Sequence, residues 1–152
     1  MLPLAGDRHA CDLTTRHTVW MLHESVHVST SIDRHADEVY AYVMDPANLS
    51  IWAAGLAESP LRQIDGEWVA DSPLGRIAVA FVRLNDLGVA DHDVTLPSGE
   101  TVTNPMRIIA NGDGCDVVFS VRRLAAMSEA DFTADVDAVA RDLASLRSLM
   151  ET

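Results

Sequence analysis

Residues 26–56, VHVSTSIDRHADEVYAYVMDPANLSIWAAGL, decide the fold because they encode a strand and two helices in direct succession. Apolar and polar side chains alternate over residues 26–33, which is the period of a strand with one buried face. Behind Asp33, a candidate N-cap, Ala36 and Val39 begin an apolar repeat at helical spacing. A strand followed at once by helices predicts a lid lying over a sheet.

The dipeptide Asp45-Pro46 separates the two predicted helices. Proline has no backbone N–H, so it ends the first helix and suits the first turn of the second. Trp52 and Leu56 belong to the apolar stripe of this second helix, which we expect to stop near Gly55. The lid should therefore consist of two short helices.

Residues 61–124 predict an antiparallel meander of about six strands. Turn residues punctuate this region, and the pair Asp65-Gly66 between two apolar segments is a strong hairpin signal. Each of the later segments is expected to form one strand. These segments are residues 89–96, 101–110 and 115–124.

Ser128 opens the longest predicted helix, with an acidic residue three positions on in a capping-box-like arrangement. Apolar residues from Phe132 to Met150 recur at spacings of four and three, so one face is buried, and Asp135 and Asp142 are assigned to the other faces. The order of elements predicts an α+β protein. The C-terminal helix would cover the apolar face of an antiparallel sheet of about seven strands, with two short helices after the first strand.

Length and charge narrow the function classes. The chain has 152 residues, enough for one domain, and we assign residues 1–22 to a flexible tail and residues 23–152 to that domain. Its formal net charge of −12 would repel phosphate backbones and anionic lipid surfaces, so no nucleic-acid partner is expected. No apolar run approaches the roughly 18 residues of a membrane span, so no membrane insertion is expected. We predict a monomer or a homodimer.

The cysteines and histidines give no metal or cofactor motif. Cys11 and Cys115 are far apart and neither belongs to a CxxC pair, and the tail lacks the apolar core of a secretory signal, so a cytoplasmic location is the simplest interpretation. His9, Cys11 and His17 lie in a polar tail without a second cluster at ligand spacing. We therefore predict neither a metal nor a cofactor.

Taken in order, these elements resemble the SRPBCC superfamily, which includes START domains, polyketide cyclases and the major birch pollen allergen. The resemblance covers roughly residues 24–151 and rests on four segments. These are the entry HVSTSIDRHADEVYAYVMDPANLSIWAAGL, the central GEWVADSPLGRIAVAF, the later TNPMRIIANGDGCDVVFSVRR and the helix after MSEADF. It implies a helix-grip fold, in which a curved antiparallel sheet wraps around the long C-terminal helix and leaves a cavity for a hydrophobic ligand. The superfamily has no shared catalytic motif.

Strand parity predicts which side chains face that cavity, because alternate residues of a strand point to opposite faces. Helical periodicity adds the residues of the lid and of the last helix. The predicted ligand-binding residues are Trp52, Leu56, Trp68, Phe81, His92, Asn104, Met106, Phe119, Phe132 and Val136. Arg107 and Arg122 are expected on the outer face, paired with carboxylates.

His92 is the one candidate for a catalytic group, because parity places it on the apolar face between Asp91 and Asp93. A neutral imidazole there would serve as acid, base or hydrogen-bond anchor. The alternative is a structural histidine whose hydrogen bonds are satisfied by the backbone or by Asn104.

Three functions remain open from the sequence. The first is binding of a small hydrophobic molecule in the cavity. The second is a polyketide cyclase or dehydratase-like enzyme with His92 as its acid or base. The third is a protein-interaction module of the chaperone-activator type, which would need a large exposed apolar patch.

Overall fold

The computed structural model describes residues 22–152, so the predicted tail lies outside the described residues except for Leu22. Strands and helices follow the predicted order. The elements are β1 (Ser25–Ile32), α1 (Ala36–Val43), a 3₁₀ turn (Pro46–Asn48), α2 (Leu49–Trp52), β2 (Arg62–Ile64), β3 (Glu67–Ser72), β4 (Gly75–Phe81), β5 (His92–Thr95), β6 (Thr101–Asn104), β7 (Met106–Asn111), β8 (Gly114–Arg122) and α3 (Glu129–Met150). The α+β class and the helix-grip arrangement are confirmed.

Residues 101–110 do not form the single regular strand that the sequence predicted. They are divided at Pro105 into β6, which pairs with β5, and β7, which pairs with β8. Proline lacks the backbone donor that a ladder needs, so the strand bends there. The strands consequently form two antiparallel sheets, in the orders β1-β8-β7 and β2-β3-β4-β5-β6. With the bent β6–β7 pair taken as one strand, the count agrees with the predicted seven.

The predicted strand over residues 89–96 is also shorter than expected, because only His92–Thr95 pairs as a regular strand. The residues before it run along β7 instead. Ile108 N donates to Gly88 O at 2.9 Å, and Ala90 N donates to Met106 O at 3.0 Å. This local pairing links the two sheets next to the bend.

The lid differs from the prediction at both of its ends. The N-cap of α1 is His35 and not Asp33. The backbone N–H of Asp33 donates a hydrogen bond to Glu151 Oε1 at 2.9 Å. The second helix ends at Trp52, before Gly55. Gly55 N donates to Asp142 Oδ1 of α3 at 3.3 Å, so it bonds to another helix instead of continuing its own.

The last helix forms as predicted. Ser128 is its N-cap, and its Oγ accepts from Asp131 N at 3.1 Å. The helix packs against β1 and β8 and also contacts α2. Phe132, Leu143 and Leu146 are its buried residues. The core thus lies between the helices and the concave side of the sheet.

Candidate functional site

A cavity of about 120 Å³ lies where α2, the edge of β5 and β6, the end of β8 and α3 meet. Its walls are mainly apolar, with a few polar groups. The apolar residues include Trp52, Leu56, Phe119 and Val139, and the polar residues include His92, Asn104, Asp135 and Asp142. Small-molecule sites commonly combine apolar walls with a few placed polar groups.

The structure brings half of the predicted ligand-binding residues together at this cavity. Trp52, Leu56, His92, Asn104 and Phe119 all line it. They come from three separate regions of the chain, the lid, the β5–β6 hairpin and β8. Their role toward a ligand stays a prediction.

The other predicted residues lie elsewhere. Trp68 and Phe81 line a second cavity of about 380 Å³ near Met44 and Pro46. Met106 and Phe132 are buried in the core, and Val136 packs against it. None of these five lines the first cavity. Residues can share the inner face of a curved sheet and still lie in different spaces, so parity alone did not separate them.

His92 is held between two aromatic rings on the inner face of the sheet. Its ring centroid lies 5.6 Å from that of Phe81 and 5.8 Å from that of Phe119. Only 2% of the residue is exposed, and it is the one buried polar or charged residue among those described. The register that pairs His92 with Phe81 and Asn104 produces this arrangement.

The hydrogen bond of His92 fixes its tautomer. Nδ1 lies 3.2 Å from Ala90 O, and a carbonyl oxygen only accepts, so Nδ1 carries the proton. In the neutral ring Nε2 then holds the lone pair, and no partner for it is found among residues 22–152. Burial lowers the pKa of His92, although the Ala90 carbonyl and the carboxylates of Asp91 and Asp93 oppose this. The predicted backbone partner is confirmed, and the imidazole is neutral at pH 7.

Asp142 lines the cavity, although helical periodicity predicts it on another face of α3. Its carboxylate accepts from Gly55 N, and a Cβ on Gly55 would lie only 3.1 Å from Asp142 Oδ2. Burial raises the pKa of Asp142 to about 6, more strongly than the Gly55 N–H and Arg141 lower it, and Asp135 adds to the increase. Asp142 therefore titrates close to neutral pH.

Asp135 was assigned away from the core as well, and it lines the same cavity. Burial raises its pKa. Asp135, Ala138 and Asp142 recur at spacings of three and four, which makes a second stripe beside the apolar one. This spacing is the one feature of the sequence that could have predicted that Asp135 and Asp142 lie on the same side of α3. The contact with Gly55, a residue distant in sequence, shows that this stripe faces the lid.

Trp52 contributes an unpartnered polar atom to the lid. The side chain is 2% exposed, and its indole Nε1 is the one buried side-chain nitrogen or oxygen without a hydrogen bond in the described part of the chain. A buried donor without a partner costs about 1 to 3 kcal/mol. The described residues therefore leave this donor free for an acceptor outside the protein.

The two arginines expected on the outer face behave differently. Arg107 pairs with Asp91, as predicted, and Asp91 Oδ1 also accepts from Met106 N at 2.9 Å. Arg122 is exposed, lines the cavity and has no carboxylate within salt-bridge distance among residues 22–152. Its predicted pairing with a carboxylate is wrong: Arg122 is the last residue of β8, and its neighbour on β1 is Ser25, which carries no charge.

Neither a metal cluster nor a membrane-spanning helix is found in the described residues. No group of three or more His, Cys, Asp or Glu side chains there could hold a metal ion. No helix among residues 22–152 has both the length and the apolar character needed to cross a membrane.

Solved structures share this architecture. A START superfamily protein from Mycobacterium smegmatis superposes with a TM-score of 0.62 at 11% identity, covering 84% of this chain and 97% of its own. The chain has the START fold. An uncharacterized protein from Bacillus thuringiensis gives a TM-score of 0.65 at 13% identity, covering 84% of this chain and 98% of its own. The predicted SRPBCC resemblance is thereby confirmed at the level of the fold.

A third structural neighbour is DynU16, a protein of the dynemicin biosynthetic locus, with a TM-score of 0.65 at 14% identity. The match covers 86% of this chain but 48% of DynU16, so the chain spans about half of its length. No protein-family model and no curated protein matches the chain in sequence. At these identities the neighbours establish the fold alone.

Proposed function

We propose that this START-fold protein binds a small, mostly apolar molecule in the cavity between α2 and α3. The observation that carries the proposal is the cavity itself, where apolar walls surround the neutral imidazole of His92 and the carboxyl of Asp142. Side chains from separate elements converge there, as in other small-molecule sites. The fold is also that of a superfamily with ligand-binding members.

The size of the cavity limits the ligand. Its volume is about 120 Å³, whereas sites for drug-sized molecules have roughly 300 to 1,000 Å³. An apolar cavity of about 150 Å³ accommodates benzene. The part of a ligand that fits without movement of the lid is therefore no larger than about one ring.

Filling the cavity tests this proposal. Ala138 lines it from α3, and Ala138→Leu adds three carbon atoms to its wall. We expect this variant to bind benzyl alcohol at least about tenfold more weakly than the unmodified chain, measured by titration followed by NMR. Ala140→Leu is the matched control, because Ala140 is exposed on the same helix. Equal binding by both variants would place the ligand outside this cavity.

A second candidate function is acid–base catalysis of the cyclase or dehydratase type. The observation that favours it is that His92 and Asp142 share one cavity while His92 has a lowered pKa and Asp142 a raised one. A neutral imidazole can accept a proton and a carboxyl with a raised pKa can hold one, so these two groups could act as a base and an acid. His92 Nε2 would remove a proton beside a carbonyl, leaving an enolate, and a proton would return from the acid or from water.

Deuterium exchange tests the catalytic candidate. With cyclohexanone in heavy water, we expect the protein to accelerate exchange of the α-protons, and His92→Gln to lower that acceleration by about 100-fold. His27→Gln is the control, because His27 is exposed on β1. An acceleration that survives in His92→Gln would exclude His92 as the base.

Other predictions are untested by the structure. The chaperone-activator alternative stays a prediction, as do the cytoplasmic location, the flexible tail with its domain boundary and the monomeric or dimeric state. The most exposed apolar side chains include Leu84 at 76% and Leu87 at 77%, both in the segment before β5. Nothing in the structure shows what would cover them.

A further inference from the structure

We propose that the ligand is a small apolar amine, whose protonated nitrogen pairs with Asp142 while His92 Nε2 acts as a second acceptor in the cavity. This inference rests on the proposed function, because it specifies the chemistry of a molecule bound in the same cavity. The inference concerns the chemical class of the preferred ligand. An experiment can therefore contradict the preference for an amine and still support the binding of a small molecule in the cavity.

The first observation is that, among residues 22–152, neither carboxylate in the cavity wall forms a salt bridge. Neither Asp142 nor Asp135 forms a salt bridge within the described residues, although five other ion pairs are found there. Among residues 22–152, the only hydrogen-bond donor to Asp142 is the neutral Gly55 N–H. Asp135 lies seven residues earlier, about 10 Å along the helix, so it adds to the negative potential without touching the same nitrogen.

The second observation is independent of the carboxylates. His92 lines the same cavity and is only 2% exposed, yet hydrogen bonding through Nδ1 leaves the Nε2 lone pair for a ligand. An acceptor that borders a cavity and has no partner in the protein is satisfied by a donor that enters the cavity. The cavity wall therefore presents a free imidazole lone pair and a carboxylate, and an ammonium group supplies both a charge and several donors.

Other charged groups around Asp142 are few. Asp135 and Arg141 flank it on α3, His92 faces the cavity from β5, and Arg122 lies at the end of β8. Arg122 is exposed to water, so its repulsion of a cation is screened. The chain as a whole carries a net charge of −12, which attracts cations.

The protonation of Asp142 gives the pH dependence. Because burial raises its pKa to about 6, the carboxyl is charged above that pH and increasingly neutral below it. Pairing with an amine should therefore weaken as the pH falls through about 6. By linkage, a bound cation should lower the pKa of Asp142.

Three probes of one shape test the inference: benzylamine, benzyl alcohol and benzoate. Their binding is followed by titration of the full chain, with the indole N–H signal of Trp52, assigned by Trp52→Phe, as the reporter inside the lid. Near neutral pH we expect benzylamine to bind about tenfold more tightly than benzyl alcohol, and benzoate to bind least. Asp142→Asn should abolish the preference for the amine, whereas Asp137→Asn, on an exposed part of α3, should retain it.

Each outcome has one meaning. Equal binding of benzylamine and benzyl alcohol overturns the amine and leaves the proposed function standing. A preference for the amine that persists in Asp142→Asn assigns the cation to another group and overturns this site. If none of the three probes binds, both the preference for an amine and the proposed binding of a ring-sized ligand are contradicted.

Discussion

Gly88→Ala is expected to lower the free energy of unfolding by about 3 kcal/mol. Gly88 has a φ of +70°, a left-handed conformation that costs a residue with a Cβ about 1 kcal/mol or more. A Cβ at this position would lie 2.0 Å from the backbone oxygen of Ile108, so the two chains must separate. Separation weakens the hydrogen bonds from Ile108 N to Gly88 O and from Ala90 N to Met106 O, each worth about 1 kcal/mol.

Gly112→Ala is the matched control for this prediction. Gly112 also has a positive φ, +58°, but no heavy atom lies within 4 Å of a Cβ built there. We expect a loss of only about 1 kcal/mol, from backbone strain alone. Urea unfolding followed by circular dichroism measures both values. If the two variants lose the same stability, the segment before β5 does not pack against β7 as described.

The order of the helices and strands could be predicted from the sequence, but the pairing of the strands could be predicted only in part. Strand and helix periods are local, so the order of elements from β1 to α3 could be inferred from patterns within each segment. The division at Pro105 depends on which neighbour each half finds, since β6 pairs with β5 and β7 with β8. No pattern within residues 101–110 specifies that exchange of partners, although the proline marks where it occurs.

The candidate site could be predicted only where its residues follow strand parity. Phe81, His92 and Phe119 lie on one face as alternation requires, and their rings are neighbours. Asp142 was missed because its burial depends on Gly55, which is distant in sequence and reaches α3 through the turn after α2. Amphipathic periodicity identifies the most apolar stripe of a helix, but not which polar stripe a lid covers.

Asp142→Asn is expected to stabilise the protein at about pH 8 by about 1 to 2 kcal/mol. Burial raises the pKa of Asp142 from 3.8 to about 6, so the folded state holds a proton that the unfolded state releases. Stability from this group is complete below the unfolded pKa and is lost as the pH rises through about 6. The change corresponds to at most about 3 kcal/mol, and contact of the carboxyl with water reduces it. Asparagine removes the charge and keeps an oxygen for Gly55 N.

Urea unfolding of both proteins at about pH 4 and about pH 8 measures this difference. The advantage of Asp142→Asn should be largest at the higher pH and nearly absent at the lower one, where the aspartate is itself neutral. Asp137→Asn, exposed on the same helix, should show no such dependence. A variant that is less stable than the unmodified chain at about pH 8 would mean that Asp142 is compensated by a cation in the folded protein.

If Asp142→Asn is more stable at about pH 8, the carboxylate of Asp142 destabilises the folded protein at that pH. The stability of the fold does not explain why an aspartate occupies this position. Strained or uncompensated groups concentrate at functional sites, so its position supports a role in binding. Benzylamine should then restore stability to the unmodified chain above about pH 6, because it binds only the folded state, and should stabilise Asp142→Asn less. Equal stabilisation of both proteins by the amine would show that Asp142 serves another purpose.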